Sequence, residues 1–397
     1  MPFDADGCKV WTPEPYGLGG EVNQQGRFIP TLDGWRALSV IGVILFHGRF
    51  GFFGYDSPLT RLTAHGAIGV EVFFAISGFL ICGLLLREYA RDGNISLHRF
   101  YLRRCFRILP PYYAALAGIY IAAASGAILV NNSYLTSCLL FYRNYLLLGG
   151  GDQGGYHTAH FWSLAIEEHF YLIWPALLLL VKPRRAGKVA LILALVVFGW
   201  RGLVEHFHVL GSILPAGYWM TRTDTRIDAL LWGCLAAIYF PTIKRLADRI
   251  PFSQLWLPLL VILLLVEKLH DPVLVTLLRA VLLPALVVST VIQPASLLGH
   301  LLEWRALRWI GTLSYSIYLW QQLFLVVDPS EMARGTFRYL QHWPWNLLAI
   351  LVCGVLSRYL IEIPMIRLGR LLSEPWPALL PHGLRSLPTS QLPNGGV

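Results

Sequence analysis

Apolar runs of about twenty residues return from one end of this chain to the other, and nothing else constrains its fold as much. At 1.5 Å per residue, such a run spans the ~30 Å hydrocarbon layer of a bilayer as a helix. The runs fall at roughly 32–50, 66–87, 108–130, 160–181, 189–210, 226–240, 255–270, 276–293, 312–327 and 346–364, the sixth and seventh being short for a full crossing. Only 14% of the residues are charged and 55% are hydrophobic, whereas a soluble domain carries about a quarter charged residues. The period-two alternation of an outer-membrane barrel is absent. The expected fold is an all-α polytopic membrane protein with about ten transmembrane helices. The segment 134–148 is too short and polar to cross, and reads as an interfacial or re-entrant piece.

Alternate loops differ sharply in Lys and Arg. Eighteen lie on the side that holds both termini and five on the other, which predicts cytoplasmic termini by the positive-inside rule. Residues 1–29 lack the basic and apolar regions of a signal peptide and read as a polar N-terminal tail. Residues 371–397, rich in Pro, Ser and Gly, read as a disordered C-terminal tail. Residues 30–370 form the membrane domain. The six cysteines include no CxxC pair, so neither a disulfide framework nor a zinc site is expected. The net charge of +9 follows from membrane orientation, and no nucleic-acid partner is expected. No internal repeat of the kind found in many secondary transporters is visible.

Polar residues inside the spans point to function, because an ionisable group in lipid is costly unless it faces the bundle or a hydrated cavity. In the first span, Arg36 and His47 are eleven residues apart, three helical turns and ~20°, so they share a face ~16 Å apart along the axis. Asp33 precedes Arg36 by three residues and joins that stripe. The stripe fits a bundle-facing site, or else a snorkelling arginine with a histidine at the interface. Glu71 lies near the outer end of the second span, at a depth compatible with His47. It is either a carboxylate that orients the imidazole or one exposed at the helix end.

Arg103, Arg104 and Arg107, in FYLRRCFRILPPYY, form a basic patch on one helical side. Such a patch suits phosphate or pyrophosphate, and it equally suits orientation and anionic-lipid contact. In HFWSLAIEEHFYLIWP, Ser163, Glu167, Tyr171 and Trp174 share a face, with Glu168 turned about 100° away. There is no helical H-E-x-x-H pattern here, which excludes that class of metalloprotease, and no metal is expected. Arg222, Asp224, Arg226 and Asp228 crowd the mouth of the sixth span. Like charges four apart within one helix must find their partners mostly on other helices, and Glu71, Glu167 and Arg226 are candidates.

Together these motifs resemble the acyltransferase-3 family of integral-membrane acyltransferases. LDGWRALSVIGVILFH, GVEVFFAISGFLI, FYLRRCFRILPPYY, FWSLAIEEHFYLIWP, RIDALLWG and IGTLSYSIYLW occur in the family's order between about residues 30 and 364. The resemblance implies transfer of an acyl group, usually acetyl, from acyl-CoA to a sugar hydroxyl of a surface polysaccharide, lipopolysaccharide, exopolysaccharide or related glycoconjugate. It implies that Arg36 and His47 are essential and that Arg104 and Arg107 handle the donor. Three positions depart from the family pattern: Trp35 is more often aliphatic, His169 replaces a frequent Gln, and Gln321 stands where a histidine is common. That histidine therefore cannot be required for chemistry here. Some members carry an appended extracytoplasmic hydrolase-like domain. No such stretch follows here, so the membrane domain is expected to acylate the acceptor itself.

The expected mechanism places the phosphates of acyl-CoA on Arg36, Arg104 and Arg107, with the pantetheine arm threading inward. His47 acts as general base or transient acyl carrier, and Glu71 or Glu167 orients it. Ser163, Glu168, Asp33, Arg226 and Asp228 form a supporting polar network. Acyl-CoA is a co-substrate, no cofactor is bound, and the partners are a glycan or glycolipid acceptor and membrane lipids. The expected location is the plasma membrane, a bacterial inner membrane. The rival reading is a transporter or flippase, for which many spans and intramembrane charges are equally natural.

Overall fold

A computed structural model describes residues 29–146, 154–206, 218–250, 252–326 and 332–373. Among them every regular element is helical. Most of the two expected tails, and the end of the fifth expected span, lie outside the described residues.

Helix α1 (Pro30–Phe53) opens with proline in its first turn, where the missing N–H is no loss. Helix α2 (Ile68–Asp92) stops at Gly93, whose φ of 69° forms a left-handed cap. Helix α3 (Leu97–Ala124) starts on Ser96, whose hydroxyl accepts the Arg99 N–H at 3.4 Å. Next comes α4 (Phe161–His206), two helices joined at Lys182, where φ is 61° and ψ 152°. Helices α5 (Asp228–Ile238) and α6 (Phe240–Ala247) meet at 66°. They are followed by α7 (Trp256–Val266), α8 (Pro272–Ile292) and α9 (Arg305–Phe324). Helix α10 (Trp345–Leu356) continues through a π-helical turn, Ser357–Glu362, into α11 (Ile363–Ser373).

The chain is a multi-pass membrane protein. By length and composition, six helical stretches among the described residues are able to cross a bilayer, or seven if α5 and α6 make one bent span. The expected ten is not reached on this measure, for three physical reasons. The spans expected at 160–181 and 189–210 belong to one continuous stretch that turns at Lys182. Helix α7 has only 11 residues. Helix α9 is long enough but carries Ser314, Ser316, Gln321 and Gln322, all turned into the protein. The third expected span also begins earlier than predicted, at Leu97, so that Arg104 and Arg107 lie well inside α3. The 134–148 segment begins in a short helix, Asn132–Leu139, and its last two residues lie outside the described residues.

Helix α2 packs on α5, and α1 on α9. Two glycines permit these close approaches. A Cβ on Gly78 would stand 2.0 Å from the Leu230 carbonyl oxygen, and one on Gly311 would stand 1.9 Å from that of Asp33. Small residues at such contacts let helix backbones touch, the usual route to tight packing in membranes. Because Gly311 meets Asp33 and Gln321 meets His47, α1 and α9 run in the same direction. One apolar cluster forms around Tyr112, Phe161 and Leu319. A second surrounds Phe74, Phe170 and Leu230. Val70 and Tyr315 pack against both clusters.

Candidate active site

A cavity of about 260 Å³ opens among α1, α2, α3, α4 and α9. Four arginines line it: Arg36 from α1, Arg87 from α2, and Arg104 and Arg107 from α3. The three-residue spacing of Arg104 and Arg107 puts both on one face of a continuous helix. Arg103 faces elsewhere, 3.9 Å from Glu88. The Arg104 guanidinium lies 5.4 Å from the centre of the Tyr171 ring. Among the described residues, no hydrogen bond or ion pair holds Arg36, Arg104 or Arg107. Clustered cations around a cavity favour an incoming anion.

The opposite wall comes from α4 and α9. Ser163, Glu167, Glu168 and Tyr171 all face the cavity, joined by Ser314, Tyr315 and Tyr318. Thus Glu168, expected to turn away, reaches the same space as Glu167. Glu167 accepts hydrogen bonds from the Tyr171 hydroxyl at 2.8 Å and the Ser77 hydroxyl at 3.3 Å. Asp33 sits among Arg36, Arg107, Arg308 and Arg358.

His47 lies beyond the residues that line this cavity. The hydroxyls of Ser163 and Tyr318 meet at 2.6 Å on the cavity wall, and Gln321 follows Tyr318 on α9 by about one turn. His47 Nδ1 is 2.9 Å from Gln321 Oε1. Glu71 and Glu167, the carboxylates expected to orient His47, form no hydrogen bond to it among the described residues. Both carboxylates are engaged elsewhere, and an amide takes the imidazole. Around this pair the chain is tightly tied. The Gln322 side-chain oxygen accepts the His160 backbone N–H at 2.9 Å. The His157 ring donates from Nδ1 to the Gln322 carbonyl at 3.1 Å, and the His160 ring from Nε2 to the Leu319 carbonyl at 3.1 Å.

Glu71 belongs to a separate ionic network. Its carboxylate takes Arg226 at 2.8 Å and lies 3.9 Å from Arg279. Arg279 also pairs with Glu267, which His65 approaches at 3.5 Å. Asp228 meets Arg201 at 2.5 Å. The expected inter-helix pairing of Arg226 and Asp228 is present, but Glu167 takes no part in it. Arg201 and Arg279 were not anticipated as its members. Their signal was a lone arginine inside each of two apolar runs. His169 hydrogen-bonds to Thr223 at 2.7 Å.

The family model described as an acyltransferase domain matches residues 29–364. The chain is 31% identical over 370 residues to the putative peptidoglycan O-acetyltransferase YrhL of Bacillus subtilis, covering 86% of this chain and 55% of that protein. It is 30% identical over 322 residues to the peptidoglycan O-acetyltransferase OatA of Listeria monocytogenes, covering 74% and 49%. It is 28% identical to the O-acetyltransferase OatA of Staphylococcus aureus, covering 86% and 58%. The chain thus spans about half the length of the curated relatives it matches. No solved structure matches it.

Proposed function

The chain belongs to the acyltransferase-3 family, and from that premise we propose that it is a membrane O-acyltransferase that moves an acetyl group from acetyl-CoA to a hydroxyl of a cell-wall glycan. The observation that carries this reading is the cavity in which Arg36, Arg104 and Arg107 stand without hydrogen bonds or ion pairs among the described residues. Coenzyme A brings several phosphate charges, and guanidinium groups bind phosphate through short, paired, charge-assisted bonds. In this account the arginines hold the nucleotide end at the cytoplasmic face of a plasma membrane. The pantetheine arm, roughly 20 Å long by bond-length reckoning, runs along the wall of Ser163 and Tyr318. The ~16 Å rise from Arg36 to His47 is within its reach.

His47 then takes the proton of the acceptor hydroxyl. The hydroxyl oxygen attacks the thioester carbonyl carbon, the C–S bond breaks, and the departing thiolate takes up the proton from the imidazolium. Glu167 serves the donor cavity, fixing Tyr171 and with it the ring beneath Arg104. The names of the relatives favour peptidoglycan as acceptor over the exopolysaccharides or lipopolysaccharides that the family also suggests.

The test is transfer of radiolabel from acetyl-CoA by purified protein in lipid discs supplied with soluble peptidoglycan fragments. Label on the glycan that mild base releases, matched by equal release of free CoA, supports the reading. Flux of a solute across the membrane without CoA release would replace it with transport.

A further inference from the structure

Resting on the reading of His47 as the base, we propose that Gln321 is its positioning residue, a neutral acceptor that holds His47 Nδ1–H and leaves Nε2 to meet the hydroxyl. Gln321 is fully buried, and its side-chain oxygen lies 2.9 Å from His47 Nδ1. An amide oxygen accepts and never donates, so the proton of that bond sits on Nδ1 and the free lone pair on Nε2. The amide nitrogen of Gln321 has no hydrogen-bond partner among the described residues. The bond to His47 is therefore the polar contact that fixes this side chain.

Gln321 itself stands on a well-anchored stretch of α9. Gly311 lies against the Asp33 backbone, which sets α9 on α1. Tyr318 is tied to Ser163 at 2.6 Å, and Gln322 to the His160 backbone at 2.9 Å. An acceptor placed by so many contacts fixes ring orientation as well as tautomer, which general-base geometry requires. The carboxylates Glu71 and Glu167 are held elsewhere, Glu71 by Arg226 and Glu167 by Tyr171 and Ser77. Among the described residues, the titratable or charged groups that act on His47 are Arg49 on its own helix and His160, just before α4. The imidazolium that forms during transfer thus meets a dipole and not a carboxylate.

The experiment measures kcat, KM for acetyl-CoA and the pH profile of kcat for the full chain in lipid discs, with soluble peptidoglycan fragments as acceptor. Gln321→Met keeps the side-chain length and loses both polar atoms. Its kcat falls about tenfold or more, as when a base loses the group that orients it, while KM changes by less than about twofold. Gln321→Glu keeps the acceptor and adds a charge that favours the imidazolium, so it retains more activity than Gln321→Met and moves the acidic limb of the profile to higher pH. A normal kcat in Gln321→Met overturns the proposal, as does an unmoved acidic limb in Gln321→Glu. Should Gln321→Met fail to fold, judged by its elution and melting, the Gln321→Glu profile decides alone. His47→Ala separates the two levels. If it transfers normally, the base assignment itself falls, whereas an inactive His47→Ala beside an unaffected Gln321→Met removes only the role of Gln321.

Discussion

Arg201 and Asp228 face each other at 2.5 Å, with side chains 0% and 1% exposed, and so bind α5 to α4 deep inside the protein. The neighbouring Arg226–Glu71 pair, at 2.8 Å, ties the start of α5 to α2. Breaking a buried pair by removing one partner leaves a charge without compensation and costs about 3–5 kcal/mol. Arg201→Met therefore lowers the melting temperature of the detergent-solubilised protein clearly. The double substitution Arg201→Met with Asp228→Leu recovers most of the loss, because no charge is then stranded. Thermal unfolding of the wild type and these two variants checks this.

Glu71 pairs with Arg226 and lies near Arg279 in this arrangement, and its neutralisation tests whether that pairing is its role. Glu71→Gln weakens the hold on Arg226 and Arg279, so melting shifts downward. The shape of the pH–rate profile stays as in wild type, because the carboxylate does not touch His47. A profile whose acidic limb moved with Glu71→Gln would return Glu71 to the role of orienting the imidazole.

On the proposed reading, the arginines of the cavity act on donor binding. Arg104→Gln and Arg107→Gln each remove a charge-assisted bond worth about 1.5–3 kcal/mol. Each raises KM for acetyl-CoA about tenfold or more and leaves kcat within about twofold. Raising the salt concentration weakens acetyl-CoA use in wild type more than in the double variant, since fewer charges remain to be screened. Initial rates across acetyl-CoA and salt concentrations measure both effects.

The contact of α1 with α9 links packing to chemistry. A valine at Gly311 places atoms where the Asp33 carbonyl already stands, 1.9 Å from the expected Cβ. The two helices separate, and the His47–Gln321 bond lengthens with them. Gly311→Val therefore loses both stability and kcat, whereas loss of the bond alone, as in Gln321→Met, spares most of the stability. Paired melting and turnover measurements distinguish these outcomes.

Much of the cavity was legible in the sequence because it depends on spacing within single helices. The three-residue step from Arg104 to Arg107, and the four-residue steps from Ser163 to Glu167 to Tyr171, place each set on one face whatever the tertiary fold. The eleven-residue spacing of Arg36 and His47 likewise put them on one stripe of α1. Partners that come from different helices were not legible. Gln321 reads as an ordinary departure from a family pattern until α9 is laid beside α1, and Arg201 reads as a stray charge until α5 brings Asp228 to it. Arg87 ends an apolar run, where a basic residue ordinarily marks the lipid boundary, and only the packing of α2 turns it toward the cavity. The span count suffered for a related reason. Helix α9 owes its polarity to contacts made with other helices, and the turn at Lys182 joins what hydropathy divides.

The most direct test of the account combines binding and transfer in one set of samples: wild type, His47→Ala, and the Arg104→Gln/Arg107→Gln double variant in lipid discs. Acetyl-CoA affinity is measured by calorimetry, and transfer by base-labile label on peptidoglycan fragments. The account predicts that His47→Ala binds acetyl-CoA as wild type does and transfers nothing, while the double variant binds at least about tenfold more weakly. Transfer at the wild-type rate by His47→Ala, or undiminished binding by the double variant, would contradict it.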